Sequence, residues 1–104
     1  MGAVMTTFMR DEHNTDNMWI VPFPHWIDTR LPPLWAGLPG RDIALPREHL
    51  PTTAAIPGPK LFMVAIEDVQ TITFLQDIYP HGQLTRYDSS VDSHDFWVFF
   101  VPPQ

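Results

Sequence analysis

The chain of 104 residues contains no cysteine, so disulfide bonds and thiolate chemistry are both excluded. Basic residues are scarce: six Lys and Arg stand against twelve Asp and Glu, which gives a formal net charge of −6 at pH 7. The six basic residues are scattered along the chain, whereas nucleic-acid binding requires clustered Lys and Arg. We therefore expect no nucleic-acid partner.

Long hydrophobic runs are also absent. No apolar stretch approaches the roughly 20 residues needed to cross a bilayer, and no signal-peptide pattern is present. Apolar residues nevertheless make up 44% of the chain, including seven Phe and four Trp, which is enough for one modest core and argues against disorder. Residues 1–104 are therefore predicted to form a single domain that does not itself insert into a membrane.

Three kinds of catalytic motif are missing as well. The chain has no Gly-x-Ser-x-Gly nucleophile elbow and no glycine-rich phosphate loop after its first apolar run. Its five histidines never fall at the i, i+2 or i, i+4 spacing of a local metal-ligand pair. We therefore expect no cofactor and no metal, and no residue is assigned as catalytic.

Two apolar runs, 18–23 and 61–66, predict buried strands. Because both are continuously apolar rather than alternating, they favour a sheet that is covered by helices on both faces, as parallel α/β sheets are. Shorter or alternating segments predict three further strands: 42–45, 83–88 and 96–101. Helical spacing and capping residues predict three helices: 3–12, 31–37 and 68–79.

The predicted fold class is thus α/β: a small three-layer sandwich with a mostly parallel sheet of about five strands and a C-terminal antiparallel hairpin. The long connection 46–59 contains four prolines and cannot form a regular helix, although Arg47 to Leu50 can form one turn.

Polar and aromatic side chains are concentrated directly after the first strand, at His25, Trp26, Asp28 and Arg30. Open α/β sheets bind ligands at the carboxyl ends of their strands. An imidazole, a carboxylate and a guanidinium can together bind a phosphate or sugar hydroxyls, with the indole ring as a stacking face. The structural alternative is that Asp28 pairs with Arg30 or caps the next helix while Trp26 packs. A third hypothesis, a small hydrolase, would use His25 and Asp28.

A second acidic group follows the other central strand, at Glu67 and Asp68. If the two strands are parallel, these carboxylates lie at the same sheet edge as His25 to Arg30 and can form a polar cleft with them. The structural alternative is that Asp68 is the N-cap of the following helix, with a carboxylate beside it.

Several segments occur in a recognisable order along the chain. They are PHWIDTR at 24–30 followed by Ala36-Gly37, PKLFM at 59–63, the helix after Asp68, YPHG at 79–82 and DFWVFF at 95–100. In this order they resemble the soluble C-terminal region of bacterial protein-mannosyltransferase-like membrane glycosyltransferases. These enzymes are related to dolichyl-phosphate-mannose-protein mannosyltransferases and to the enzymes that glycosylate lipid A.

The resemblance implies a non-catalytic, extracytoplasmic accessory domain of a polyprenyl-phosphate-sugar-dependent glycosyltransferase. Its partners would be the membrane-embedded part of the same polypeptide and a glycan or peptide acceptor, at the extracytoplasmic face of the cell membrane. The start of the chain at a helix is expected for a domain excised from a larger membrane protein. The alternative is a free-standing small α/β ligand-binding module with its site at the His25–Arg30 strand edge.

Overall fold

The computed structural model describes residues 2–23, 31–38, 42–87 and 95–103. Its elements, in chain order, are α1 (Gly2–Glu12), β1 (Met18–Ile20), α2 (Leu31–Trp35), a 3₁₀ helix (Arg47–Ala55), β2 (Lys60–Ala65), α3 (Val69–Ile78), β3 (Gln83–Tyr87) and β4 (Phe96–Val101). The helices lie at the predicted positions, and no helix among the described residues is long and apolar enough to cross a membrane.

The four described strands form one mixed sheet in the order β1-β2-β4-β3. β1 pairs parallel with β2, whereas β4 lies antiparallel to both β2 and β3. The prediction of about five mostly parallel strands was therefore wrong, although the C-terminal antiparallel pair was correct. The reason is topological. After α3 the chain enters β3, which runs parallel to β2 but is not its neighbour, and β4 lies between these two strands and antiparallel to both.

The predicted strand 42–45 is only a one-residue parallel bridge between Ile20 and Ala44. Two backbone hydrogen bonds hold it, from Ile20 N to the Ile43 carbonyl and from Leu45 N to the Ile20 carbonyl, both 2.9 Å long. Pairing stops there because Pro22 and Pro46 have no amide hydrogen to donate to a ladder. Pro22 also explains why β1 is shorter than the predicted 18–23.

Every residue of β2 is buried, because helices cover both faces of the sheet. Phe62 and Val64 pack in one cluster with Leu75 of α3 and Leu50 of the 3₁₀ helix. Leu61 and Met63 pack on the opposite face, in a cluster that contains Met5 and Phe8 of α1. The sheet therefore lies between two helical layers, and its C-terminal edge is left open at the end of β1.

The connection 46–59 contains more regular structure than predicted, because the single turn expected at 47–50 continues as a 3₁₀ helix to Ala55. Pro51 lies inside it and removes one backbone donor. Two threonine hydroxyls satisfy nearby carbonyls: Thr52 donates to His49 O at 2.6 Å and Thr53 to Leu50 O at 2.7 Å. Both hydroxyls are thereby satisfied within the helix itself.

The buried side chain of Asn17 holds the turn that leads into β2. Its amide nitrogen donates to two carbonyls, Pro57 O at 3.0 Å and Pro59 O at 2.9 Å. Both bonds join parts of the chain that are about 40 residues apart in sequence. The turn between them contains Gly58 with a φ of +94°, which favours glycine.

We expect Asn17→Ala to lower the free energy of unfolding by about 2 kcal/mol, because two carbonyls lose their donor where little water can replace it. Urea unfolding followed by circular dichroism measures the change. Asn14→Asp is the matched control, since Asn14 acts through its Oδ1, which accepts from Asp16 N and Asn17 N, and an aspartate oxygen can do the same. Equal losses in the two variants would contradict this explanation.

Candidate functional site

The predicted ligand-binding residues His25, Trp26, Asp28 and Arg30 lie outside the described residues. Their role therefore stays a prediction. The chain before them is described: β1 ends at Ile20, and the path continues through Pro22 and Phe23.

Phe23 lies in a cleft of about 560 Å³ at the C-terminal edge of the sheet. Three chain segments line this cleft: Pro22 and Phe23 after β1, 46–48 at the start of the 3₁₀ helix, and 67–71 after β2. Because β1 and β2 are parallel, Glu67 and Asp68 lie at the edge where β1 ends, as the sequence predicted. We call this cavity the C-terminal-edge cleft.

Asp68 is the N-cap of α3, which confirms the structural alternative for this residue. Its Oδ1 accepts from Thr71 N at 3.3 Å, and its Oδ2 accepts from the Thr71 hydroxyl at 2.6 Å. The residue is only 7% exposed, so most of its hydrogen-bonding capacity serves the helix end. Asp68 therefore shapes the wall of the cleft more than it offers a free carboxylate.

Among the described residues, Arg47 is the cation of the C-terminal-edge cleft. Its Nη1 donates to Gln70 Oε1 at 2.7 Å and lies 3.8 Å from Asp68 Oδ1, while its side chain remains 44% exposed. A guanidinium carries five N–H donors, so this geometry positions Arg47 without using up its donors. The exposed carboxylates of Glu48 and Glu67 line the same cleft and supply acceptors.

The cleft thus combines hydrogen-bond donors and acceptors with apolar surface. Arg47, Gln70 and the two glutamates form its polar part, and Phe23 and the largely exposed Val69 contribute carbon surface. Such a mixture suits a ligand with vicinal hydroxyls or amides and an apolar face. Among the described residues, no group of three or more His, Asp or Glu side chains is arranged to hold a metal ion.

Sequence reasoning placed Glu67 and Asp68 at this edge but missed Arg47 and Gln70. Arg47 lies between two prolines in a segment predicted to be mostly irregular, and Gln70 is an ordinary first-turn residue of a helix. Neither residue has a local spacing that predicts a site. Only the packing of the 3₁₀ helix beside the N-terminus of α3 brings them within hydrogen-bond distance.

A second cluster, also missed from sequence, lies at the opposite edge of the sheet, where β2 begins. Lys60 is 6% exposed, its Nζ donates to Gly58 O at 3.1 Å, and the same atom lies 5.7 Å from the centre of the Tyr79 ring. The Tyr79 and Thr53 hydroxyl oxygens are 2.5 Å apart. Burial lowers the pKa of Lys60. Burial also raises the pKa of Tyr79, and the hydrogen bond with Thr53 opposes that shift.

The fold and the edge cleft define this chain as a small mixed α/β domain with one parallel strand pair. No known protein family, no curated protein and no solved structure matches it significantly. The resemblance to glycosyltransferase C-terminal regions therefore stays a prediction.

Proposed function

We propose that this domain is a non-catalytic accessory domain of a polyprenyl-phosphate-sugar-dependent glycosyltransferase, and that it binds the glycan part of the acceptor in the C-terminal-edge cleft. The observation that carries the binding proposal is the hydrogen-bonded Arg47–Gln70 pair, which lines one cavity together with two exposed glutamates and Phe23. The link to a glycosyltransferase rests on the resembling segments alone.

The chemistry of the cleft supports a glycan over a simple anion. A sugar ring presents neighbouring hydroxyls, each of which can donate and accept, and one apolar face of C–H groups. Arg47 supplies donors, Glu48 and Glu67 supply acceptors, and Phe23 offers an aromatic surface. A strongly charged anion fits less well because, among the described residues, two glutamates and one arginine line the cleft.

The segment His25–Arg30 belongs to the same proposal, because it follows Phe23 in the sequence after a single proline. We propose that Trp26 adds a stacking face and that His25, Asp28 and Arg30 add polar contacts to the bound glycan. In the full protein the domain would lie at the extracytoplasmic face of the cell membrane beside the membrane-embedded part of its own polypeptide.

We expect Arg47→Ala to weaken saccharide binding at least tenfold, because it removes the main donor of the cleft. The measurement is a two-dimensional amide NMR titration of the ¹⁵N-labelled chain with methyl α-mannoside and mannobiose. Amide signals of Phe23, Arg47 and Gln70 should shift together and saturate. Arg10→Ala is the matched control, since Arg10 is also an exposed, ion-paired arginine but lies in α1.

Two outcomes of this titration would overturn the binding proposal. One is the absence of saturable shifts with both saccharides, and the other is equal affinity in Arg47→Ala and the wild-type chain. Saturable shifts of the same amides with an acceptor-like peptide, and none with saccharides, would replace the glycan by a peptide acceptor.

The parent protein is tested separately, by the coding sequence upstream of residue 3. Several apolar spans of about 20 residues ending just before this domain would support a membrane transferase. The next step would then be to compare the activity of the full enzyme with and without the domain. A reading frame that encodes no such spans would contradict this part of the proposal.

The second candidate function is a free-standing ligand-binding module with its site at the His25–Arg30 edge. The parallel pairing of β1 and β2 favours a ligand site at this edge whether or not a membrane part exists. A native reading frame of about this length, with binding lost in Trp26→Ala and Arg30→Ala but kept in Arg47→Ala, would select it.

A further inference from the structure

The cavity beside Lys60 has about 240 Å³ of space and lies at the edge of the sheet opposite to the C-terminal-edge cleft. Its walls come from the end of the 3₁₀ helix and the following turn, from Tyr79 after α3, and from Val101 and Pro102 at the end of β4. Apolar side chains such as Ile56 and Val101 line one part of the cavity, while polar atoms contribute slightly more of its surface than apolar atoms do. The volume is below the roughly 300 Å³ at which pockets for drug-sized ligands begin, so an occupant must be small.

Lys60 is the cation of this cavity and the only lysine in the chain. An ammonium group can donate three hydrogen bonds, and in the structure it donates one, to Gly58 O. No carboxylate is paired with it among the ion pairs of the described residues. Such burial is unusual, because a charged side chain that is almost fully buried is normally paired.

The Tyr79 hydroxyl does not neutralise the positive charge of the Lys60 ammonium. The Thr53 hydroxyl contacts both Leu50 O and the Tyr79 hydroxyl, and burial raises the pKa of Tyr79. The phenol is therefore protonated, and its ring lies beneath the ammonium as a weak cation–π partner. Among the described residues, the cluster thus holds one cation and no carboxylate paired with it.

We propose that this cavity is a binding site for a small monocarboxylate with a short apolar tail, whose carboxylate pairs with the Lys60 ammonium. The proposal is independent of the function assigned to the C-terminal-edge cleft. One cation matches one carboxylate, whereas phosphate binding generally uses several donors from Arg side chains or backbone amides. The apolar residues Ile56, Val101 and Pro102 would contact the tail. The lowered pKa of Lys60 supports the site, since a bound anion would relieve the cost of burying its charge.

The test is an NMR titration of the chain carrying lysine labelled with ¹³C at Cε only, which gives a single signal because the chain has one lysine. Butyrate should shift this signal saturably, with a dissociation constant of about 1 mM, and should raise the apparent pKa of Lys60. Acetate should bind more weakly because it lacks the apolar tail. Equal responses to butyrate and to sodium chloride at the same ionic strength, or tighter binding of inorganic phosphate, would overturn the proposal.

Two variants separate a binding site from a lysine that is merely packed. Lys60→Met keeps the unbranched stem and removes the charge, and it should weaken butyrate binding at least tenfold in ligand-observed NMR. It should unfold at the same or a higher urea concentration than the wild-type chain, because an unpaired buried charge costs desolvation energy. Unchanged butyrate binding in this variant would contradict the proposal.

The second variant, Ala55→Leu, reduces the space of the cavity and leaves Lys60 in place. It should weaken butyrate binding to the same extent, whereas Ala3→Leu on the exposed side of α1 should not. If Lys60→Met does not fold, Ala55→Leu still decides the question. If Ala55→Leu bound butyrate as tightly as the wild-type chain does, butyrate would be binding to surface charge and not in this cavity, and the proposal would be overturned.

Discussion

Phe62→Ala should lower the free energy of unfolding by about 4 kcal/mol, which is a large part of the stability expected for a domain of this size. Phe62 is fully buried in the middle of β2. Its ring stacks on Trp19 at a centroid distance of 5.2 Å and also contacts Tyr79 at 5.9 Å and Phe99 at 6.4 Å. Truncation removes all three contacts and leaves a cavity that the sheet cannot close, because β2 is paired on both sides.

Urea unfolding monitored by tryptophan fluorescence measures this loss, and Trp19 should report it directly because it stacks on the deleted ring. Trp35→Ala is the control: it deletes a larger aromatic side chain that is 57% exposed, and it should cost less than about 1 kcal/mol. Similar losses in both variants would mean that the aromatic cluster around Phe62 is not the centre of the core.

Gly82→Ala should destabilise the domain by about 3 kcal/mol, because there is no room for a methyl group at this position. A Cβ built on Gly82 would lie 2.2 Å from Cζ and 2.3 Å from Cε1 of Phe99, whose side chain is fully buried. The Phe99 ring cannot withdraw, since it packs in the same cluster as Phe62 and Leu75. The clash must therefore be relieved by moving the turn between α3 and β3 away from the sheet.

Gly37→Ala serves as the matched control. Gly37 has a φ of +84°, but a Cβ there would meet no atom within 4 Å, so only the backbone preference is lost, at about 1 kcal/mol. The double variant Gly82→Ala with Phe99→Leu tests the mechanism. Leucine is smaller than phenylalanine and leaves room for the new methyl group, so the double variant should lose less stability than the sum of the two single variants. Additive losses in the double variant would contradict a direct clash between these two residues.

The contact between Gly82 and Phe99 also bears on the resembling segments. YPHG at 79–82 and DFWVFF at 95–100 meet at this contact, and Gly82 N further donates to Tyr79 O at 2.9 Å. Gly82 of the first segment and Phe99 of the second therefore have a packing role. A family resemblance that rests partly on these residues carries information about the fold more than about a substrate.

The candidate site was predictable only where it depends on strand direction. The continuously apolar runs that contain β1 and β2 favoured parallel strands, and their parallel pairing places Asp68 and Phe23 at one edge, although β1 is an outer strand of the four rather than a central one. Arg47 and Lys60 were not predictable as site residues. The environment of Arg47 depends on the packing of the 3₁₀ helix beside α3. The environment of Lys60 depends on the turn before β2, which Asn17 holds from 40 or more residues away in sequence.

The sequence by itself determined the local elements of this protein. These elements depend on patterns among neighbouring residues: periodic apolar residues, the N-cap at Asp68 and the prolines near strand ends. Such patterns predict α1, α3, β2 and β4 without reference to the rest of the chain. Only the tertiary structure decided the strand order and the burial of Lys60. Insertion of β4 between β2 and β3, and closure of a cavity around a lone lysine, depend on contacts between distant segments that no local pattern encodes.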